Sequence, residues 1–397
     1  MYAADPTPTY RWLRHHAPVY YDDINGIWGI SRYHDVIAVE KNGGRYSNRN
    51  AYRPFLDQTG VDDLSMIGQD DPVHTSQRRL VARRFTPRAV SGHEERIRDR
   101  VRGLLDAAVT AGGAGGSGST GVVDVVQSLA APLPAMMIAE ALGFGVDRWP
   151  EVQRWSEETI ALGGGPRYLD EVGMTAAFEF AGACSELIAE TRAALAAGED
   201  PGHMVATWCS RLVDGEPMTD EQVISECLLL VDGGAETTRT VIADTVWNLC
   251  NHPDQLSLLR GDPSLLGTTA VEEFIRYTTP VLNMSRKVTE DHELHGQQLK
   301  AGDWVLLMYS SANRDETVFD DPDRFDLTRQ HNNHVSFGFG THFCLGSSLA
   351  RLEIRVMFEE LLERWSSFAL VEEDQPQRVP GAFVRGIGRL PVRFTVR

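Results

Sequence analysis

The sequence has few cysteines and no long hydrophobic run, and these two shortages limit the classes of protein it can belong to. Its five cysteines are scattered singly through 397 residues, unlike the dense, even-numbered pattern of a disulfide framework. No apolar stretch approaches the ~18–20 residues that span a bilayer, and the first 14 residues lack the apolar segment of a signal peptide. We therefore expect a reduced, cytoplasmic protein with no membrane span.

Positive charge is also scarce. Lysine and arginine number 38 against 56 aspartates and glutamates, which gives a formal net charge of −18. Phosphate binding needs a basic surface, so we expect no nucleic-acid partner. A phosphate-binding P-loop and a dinucleotide-binding G-x-G-x-x-G between a strand and a helix are both absent. The 42% of hydrophobic residues nevertheless suffices for a sizeable core, which excludes wholesale disorder.

The residue pattern predicts a mainly α fold with a minor β portion. Residues 19–30 form two β-like runs around Asn25-Gly26, a dipeptide favoured in tight hairpin turns. Residues 94–109 and 347–365 have helical spacing, and residues 384–396 alternate like strands. The glycine-rich stretch 111–121 is either a domain linker or a flexible surface loop. Helical patterns on both sides favour the surface loop.

The segment 219–251 predicts one helix long enough to cross a whole domain. Thr219 and Gln222 fit a capping box at its start, and at 1.5 Å per residue the helix is ~45–50 Å long. Its middle, 232–238 (DGGAETT), is costly because two glycines lower helix stability by ~2 kcal/mol and an unpaired buried carboxylate costs more. The alternative is a chain reversal at this point. Apolar periodicity resumes in register at Val241, which favours the continuous helix.

The strongest signal is the segment 337–346, FGFGTHFCLG. Its three glycines let the backbone turn tightly and approach a flat object closely. Cys344 stands just before a predicted helix, whose first N–H groups stabilise a thiolate, and two phenylalanines shield it from water. All ten positions match the haem-binding loop of the cytochrome P450 superfamily, which this sequence therefore resembles.

The resemblance covers nearly the whole chain, from about residue 10 to residue 393. It implies a cytochrome P450 fold in which haem b lies between the long central helix and the cysteine loop. Because the implied haem contacts span residues 74–344, we expect residues 1–397 to form a single domain. The implied activity is that of a haem-thiolate monooxygenase that inserts one atom of O2 into a C–H bond, with Cys344 as the iron ligand. The residues implied to surround the haem in the loop and the central helix are Phe337, Gly338, Gly346, Gly233 and Gly234.

The middle of the long helix resembles the oxygen-activation motif of the superfamily, with Gly233 where alanine is commoner. The resemblance implies that Glu236 and Thr237 are the catalytic acid–alcohol pair that relays protons. A helix kink capped by its own hydroxyls would explain Thr237 but not the costly Glu236.

Four basic residues match positions where the superfamily binds the haem propionates. His74 and Arg78 lie one helical turn apart, Arg286 stands on a predicted strand, and His342 precedes the cysteine by two residues. Each of them alone is typical of an ordinary surface residue. The resemblance implies that together they are the propionate partners.

A further motif is structural. Glu273 and Arg276 are spaced i, i+3 on one face of a predicted helix, a pair that is usually a solvated salt bridge. They also match the E-x-x-R motif of the superfamily, with Arg324 as the third member. The resemblance implies a triad that braces the haem pocket.

A zinc site is the competing interpretation for the metal-binding residues. His331, His334, His342 and Cys344 could supply four ligands, but their spacing fits no common zinc pattern. The haem interpretation is therefore favoured.

The chain offers no segment for a flavin or an iron–sulfur cluster, so electrons are expected from outside. The resemblance implies a ferredoxin and a ferredoxin reductase, with NAD(P)H as the indirect source. We predict that Arg79, Arg83 or Arg84 helps to form a basic face that docks an acidic ferredoxin. A solvated arginine face is the alternative. We expect a monomer.

The substrate is expected to be hydrophobic, because the residues at the family's pocket positions are largely apolar. Several segments resemble the actinobacterial branch that hydroxylates sterol side chains, so a sterol side chain is the first expectation. Methyl-branched fatty lipids and terpenoids are the alternatives, and less favoured are a peroxygenase and a non-catalytic haem protein. Residues 163–166 fall where the family has a mobile lid. The expected pocket residues are Met66, Ile67, Leu229, Val281, Leu282, Met284, Phe383 and Val384.

Overall fold

The structure is a computed structural model that describes residues 5–58, 60, 62–160, 162, 169–213, 215–379 and 381–397. Helices dominate this part of the chain. The α-helices are α1 (Thr7–His16), α2 (Tyr33–Glu40), α3 (Val73–Val81), α4 (Pro87–Ser91), α5 (Glu94–Ala111), α6 (Pro132–Leu142), α7 (Trp149–Thr159), α8 (Glu171–Ala196), α9 (Met204–Ser210), α10 (Asp220–Asn251), α11 (Pro253–Gly261), α12 (Ala270–Thr278), α13 (Tyr309–Ala312) and α14 (Ser347–Arg364).

The strands are short and form small sheets. They are β1 (Val19–Asp22), β2 (Ile27–Ile30), β3 (Tyr46–Ser47), β4 (Thr120–Asp124), β5 (Leu212–Val213), β6 (Glu216–Pro217), β7 (Met284–Val288), β8 (His292–Leu294), β9 (Gln297–Leu299), β10 (Trp304–Leu307), β11 (Trp365–Leu370), β12 (Gln377–Val379), β13 (Gly386–Arg389) and β14 (Pro391–Val396). The largest sheet has the order β1-β2-β10-β7-β3, and a second has the order β11-β14-β4. The prediction of a mainly α fold with a minor β portion is confirmed.

The local predictions with clear chemical signals are also confirmed. Strands β1 and β2 pair antiparallel, with Val19 opposite Ile30, and Gly26 in the turn has a φ of 67°. The predicted helices beginning at residues 94 and 347 are α5 and α14. The predicted surface loop 111–121 extends too far toward the C-terminus, because its last two residues belong to β4, which starts at Thr120 and pairs with β14.

Helix α10 is continuous and passes through the centre of the protein. Its start is the predicted capping box, in which Thr219 and Gln222 bond each other's backbone N–H groups. Its C-terminal half, which includes Val241 and Leu249, packs with α5, α12 and α14 in one hydrophobic cluster. Its N-terminal half, which includes Val223 and Val231, packs with α6, α7 and α8 in a second. This position between two cores explains why most of its side chains are buried.

Helix α8 is the one described helix that is long and apolar enough to cross a membrane by composition. Its buried face, which includes Phe180, Cys184 and Ile188, packs into the same cluster as α7 and α9. The opposite face, which includes Val172 and Phe178, is exposed, so α8 packs on the protein by one face.

Candidate active site

A large cavity lies between the middle of α10 and the loop that precedes α14. It encloses about 1460 Å³, including its open mouth. It is lined mainly by apolar side chains from α6, α10, β7 and the loop itself.

Cys344 lines this cavity three residues before α14 begins. Its main-chain N–H donates to the Phe337 carbonyl oxygen at 2.9 Å, which closes the loop. Burial raises the pKa of the Cys344 thiol, whereas the N–H groups of Gly346 and Ser347 and the charge of Arg78 act in the opposite direction. The donors at the helix start are thus aimed at the sulfur, as a thiolate ligand requires.

Two glycines of the loop adopt conformations that other residues rarely take. Gly338 and Gly340 have φ angles of +66° and +71°. A side chain at Gly340 would also place its Cβ 2.8 Å from the main-chain oxygen of Glu40 at the end of α2. Close packing of the loop on α2 therefore requires glycine here.

The predicted haem fits this cavity. The Nε2 atom of His74 is buried with no hydrogen-bond partner in the described part of the chain, which leaves a donor for a carboxylate. The space beside Gly233 is open, with no atom within 4 Å of a Cβ built there. Together with the aimed thiol of Cys344, these features suit a flat, metal-containing cofactor that carries acidic groups.

The four predicted propionate partners all line the cavity. The rings of His74 and His342 lie 4.1 Å apart between centroids, and Arg78 donates to the main-chain oxygen of Phe343 at 2.6 Å. Burial, together with the charge of Arg286 and the neighbouring basic side chains, lowers the pKa of His342 to about 2. The positive charges of Arg286 and Arg78, which add to the effect of burial on His342, would attract negative charge to this place.

Arg286 has partners that the sequence did not predict. Its Nη2 atom donates to Glu40 Oε2 at 2.6 Å, and both side chains are buried. The Tyr309 hydroxyl donates to the other carboxylate oxygen of Glu40. Glu40 and Tyr309 also line the cavity. They carry no motif, and only the tertiary packing of α2 and α13 brings them there.

The two glycines in the middle of α10 have different structural reasons. Gly233 faces the open space of the cavity, whereas a Cβ at Gly234 would lie 2.4 Å from the Ile138 side chain of α6. Gly234 therefore permits the close packing of α6 on α10. The Thr237 hydroxyl donates to the Gly233 carbonyl oxygen at 2.7 Å and lines the cavity, a local bond that competes with regular helix geometry.

Glu236 is buried and paired. Both of its carboxylate oxygens accept from Arg239 Nη1, at 2.7 and 2.8 Å, and Arg239 also lies 3.3 Å from Glu157 of α7. Burial raises the pKa of Glu236, and the charge of Arg239 opposes that rise. The oxygens of Glu236 are thus held by Arg239, and Glu236, although one residue from Thr237, is not among the residues that line the cavity in the described structure.

The predicted structural triad is correct in two members and wrong in the third. Glu273 and Arg276 are fully buried and form two bonds of 2.8 Å. The side chain of Arg324 takes no part, and only its main-chain oxygen accepts from Arg276. Arg329 is the third side chain, with Nε 3.1 Å from Glu273 Oε2. It also donates to the carbonyl oxygen of Asp320, so the loop wraps around Arg329 and leaves Arg324 outside.

The predicted substrate residues fall into two groups. Met66, Ile67, Leu229, Val281 and Met284 line the cavity. The other three are not among the residues that line it in the described structure, where the Leu282 N–H donates to the Phe383 oxygen at 2.9 Å and Val384 pairs with Val281. The structure therefore does not confirm these three as pocket residues. The predicted lid, residues 163–166, lies outside the described residues.

A zinc site finds no support in the described part of the chain, which holds no group of three or more suitable ligands. His334, one of the candidate ligands, is bonded to Glu272 at 3.1 Å.

The predicted basic face separates into free and paired arginines. Arg79 and Arg83 are exposed and have no ion pair within the described residues. Arg84 donates to the main-chain oxygen of Gly202 at 2.8 Å. On α14, Arg351 pairs with Glu272 of α12 at 2.6 Å, and Arg355 pairs with Glu94 of α5 at 2.7 Å and with Glu359 of its own helix at 3.0 Å. Arg79 and Arg83 therefore remain available for a partner.

Comparison with known proteins gives consistent matches. The family profile described as Cytochrome P450 matches residues 266–396. The steroid C26-monooxygenase of Mycobacterium tuberculosis (strain ATCC 25618 / H37Rv) is 39% identical over 97% of this chain and 93% of its own length. The methyl-branched lipid omega-hydroxylase of the same organism is 34% identical over 94% and 85%. The crystal structure of CYP109E1 from Bacillus megaterium in complex with testosterone has a TM-score of 0.85 and 30% identity, covering 98% and 97% of the two chains.

Proposed function

Since this chain belongs to the cytochrome P450 family and is a hydroxylating monooxygenase, we propose that it hydroxylates the side chain of a steroid with electrons from a ferredoxin. The observation that carries the proposal is the cavity beside Cys344, which is lined mainly by apolar side chains. An apolar wall favours a lipid-like molecule over a charged one. The 39% identity with a steroid C26-monooxygenase supports the steroid class.

The residues of this chain would hold the cofactor from two sides. Cys344 would bind the iron of the haem, and His74, Arg78, Arg286 and His342 would surround its carboxylates. The haem, when bound, supplies the activation of dioxygen and the insertion of one oxygen atom into a C–H bond. The open space beside Gly233 leaves room for a small molecule next to α10.

Glu236 and Thr237 would move the protons that this chemistry consumes. The Thr237 hydroxyl lines the cavity, and the Glu236 carboxylate lies one residue away with its oxygens bonded to Arg239. To pass a proton, Glu236 must exchange a bond with Arg239 for one toward Thr237. The charge of Arg239 opposes the effect of burial on the pKa of Glu236, so the carboxylate keeps more of its ionised form than burial alone allows.

The test of this proposal is a panel of sterols, methyl-branched fatty acids and terpenoids added to the purified haem protein. We expect cholest-4-en-3-one to shift the spin state in the absorption spectrum and to yield a side-chain alcohol with ferredoxin, its reductase and NAD(P)H. If only a branched fatty acid or a terpenoid gives product, the steroid assignment fails and the alternative lipid class replaces it. If hydrogen peroxide alone supported product formation at the same rate as the ferredoxin system, the protein would be a peroxygenase. If a lipid bound without giving any product, the protein would be a haem protein that does no catalysis.

We further propose that Arg79 and Arg83 dock the ferredoxin. Both are exposed and free of ion pairs within the described residues, and charges of this kind steer an acidic partner toward its site. The double variant Arg79→Glu/Arg83→Glu should raise the KM for ferredoxin at least about tenfold at low salt. The difference should shrink as salt is added.

The matched control is Arg393→Glu, which reverses an exposed charge on β14 and should leave the KM for ferredoxin unchanged. Substrate binding, followed by the spin-state shift, should be equal in all three proteins. An unchanged KM and salt dependence in the double variant would contradict the docking proposal.

A further inference from the structure

A buried charged pair stands at the edge of the apolar cavity. Asp232 lies on α10 immediately before Gly233, and its carboxylate is 3.2 Å from Arg53 Nη2. The Asp232 side chain is 7% exposed and that of Arg53 is 14% exposed. The Thr159 hydroxyl donates to the other Asp232 oxygen at 2.7 Å. We call these three residues the Asp232 clamp.

The partners of Asp232 in the clamp come from separate parts of the chain. Arg53 belongs to the segment that follows β3, whereas Thr159 is the last residue of α7. The guanidinium of Arg53 also lies over the Phe383 ring at 4.9 Å and over the Tyr52 ring at 5.3 Å. The segment after β3, the end of α7 and the segment before β13 are thereby held against α10.

The clamp residues adjoin residues that line the cavity. Tyr52 and Gly233, the sequence neighbours of Arg53 and Asp232, are both part of the cavity wall, and so is Leu229, one turn before Asp232. The clamp therefore joins two parts of the cavity wall, the segment that carries Tyr52 and the turn of α10 that carries Leu229 and Gly233.

Two more bonds attach the same wall to α10. Glu226 Oε1 accepts the main-chain N–H of Met66 at 2.9 Å, and the Ser225 hydroxyl donates to Asp63 at 3.0 Å. Met66 lines the cavity. Residues 225–232 of α10 thus hold the wall at three points, of which the Asp232 clamp is nearest to Thr237 in sequence.

Stability alone does not account for an ion pair in this place. Taking two charges out of water costs several kcal/mol per ion, and apolar residues of similar volume often give an equal or greater free energy of unfolding. The neighbouring positions of α10 and the cavity wall are filled by such residues. A charged pair instead fixes two segments in one geometry, because its attraction depends steeply on distance and direction.

We infer that the Asp232 clamp determines regioselectivity, by keeping the cavity narrow enough that only the slim end of a branched lipid reaches the reacting position. The inference rests on the proposed function. A terminal methyl C–H bond is stronger than the methine C–H bond beside it, so an unrestrained chain end is oxidised inside the chain. Terminal attack therefore requires that the wall exclude the other orientations.

The test compares the products of the wild type and Asp232→Asn with cholest-4-en-3-one, identified by gas chromatography and mass spectrometry. The asparagine keeps an oxygen for Thr159 but removes the charge that holds Arg53. We expect the ratio of internal to terminal alcohols to rise about tenfold, with the reduced carbon monoxide spectrum unchanged. The double variant Arg53→Met/Asp232→Leu replaces both charges by apolar groups. It leaves no unpaired buried charge, so it should fold even if the asparagine variant does not. It should raise the ratio of internal to terminal alcohols by a similar factor.

The matched control is Asp244→Asn, which alters another buried carboxylate of α10 that pairs with an arginine, Arg378, at 3.3 Å. It should retain the wild-type product ratio. An unchanged ratio in both clamp variants, or an equal change in the control, would overturn the inference.

A second measurement separates this inference from the proposed function, because it needs no substrate. Azoles that bind haem iron are titrated optically, one with a linear alkyl chain (1-dodecylimidazole) and one with a bulky cage (1-adamantylimidazole). The wild type should prefer the linear azole, and the clamp variants should lose about tenfold of that preference. If the wild type oxidises no steroid or branched lipid, the proposed function fails. The azole preference then tests the role of the clamp independently of the substrate. A preference that is unchanged in the clamp variants would overturn the inference.

Discussion

Cys344→Ser is expected to abolish monooxygenase activity and to remove the strongly red-shifted Soret band of the reduced carbon monoxide complex. A serine hydroxyl is a far weaker donor to iron than a thiolate, and thiolate donation is what favours O–O cleavage in this family. The structure aims the N–H groups of Gly346 and Ser347 and the charge of Arg78 at this one sulfur. Neighbouring groups offer no substitute, because no other cysteine lines the cavity in the described chain.

The matched control is Cys209→Ser, an identical change at a half-buried cysteine of α9. It should keep both the red-shifted band and full activity. The measurement is the reduced carbon monoxide difference spectrum, together with the haem content of the purified protein. A red-shifted band that survives in Cys344→Ser would show that another residue binds the iron.

Glu236→Gln and Thr237→Ala are expected to reduce coupled product formation by about 10²-fold, the usual contribution of a positioned proton donor. Glutamine keeps the size of Glu236 but neither binds nor releases a proton, and alanine removes the hydroxyl that lines the cavity. In Thr237→Ala most of the electrons should appear as hydrogen peroxide. The measurement is product and peroxide formed per NAD(P)H consumed, with the spin-state shift showing that substrate still binds.

Thr245→Ala is the control for the alanine variant, since Thr245 is a fully buried threonine of the same helix whose hydroxyl has no partner among the described residues. It should keep the wild-type ratio of product to peroxide. Undiminished coupled turnover in Thr237→Ala would remove the proton-relay assignment, whereas an equal loss in Thr245→Ala would indicate a general effect on α10.

The cysteine loop and the helix starts could be read from the sequence because their chemistry is local. The capping box of Thr219 and Gln222 acts within one helical turn, and the positive φ of Gly26 is a property of one turn. The pairing of Glu273 with Arg276 is likewise fixed by i, i+3 spacing on α12. Contacts of this kind survive any arrangement of the remaining chain, so a pattern of residues identifies them.

The errors fall where a side chain depends on how a loop folds back. Arg324 and Arg329 are five residues apart in the same loop, and only the path of that loop decides which guanidinium reaches Glu273. Leu282, Phe383 and Val384 stand at plausible pocket positions, yet in the described structure their distant segments pair through the backbone and only Val281 of this pairing lines the cavity. Neither outcome has a signal in sequence spacing.

The sequence by itself determined the family, the cysteine that would bind the iron and the mainly α fold, because these depend on motifs of consecutive or helically spaced residues. Only the tertiary structure decided which distant residues bring charge to the site: Glu40 behind Arg286, and the Asp232 clamp. Each of these carboxylates is buried, and a buried charge is tolerable only where a partner meets it. For Arg286 and the clamp that partner comes from a distant part of the chain, so long-range packing and not local pattern sets the electrostatics of the pocket.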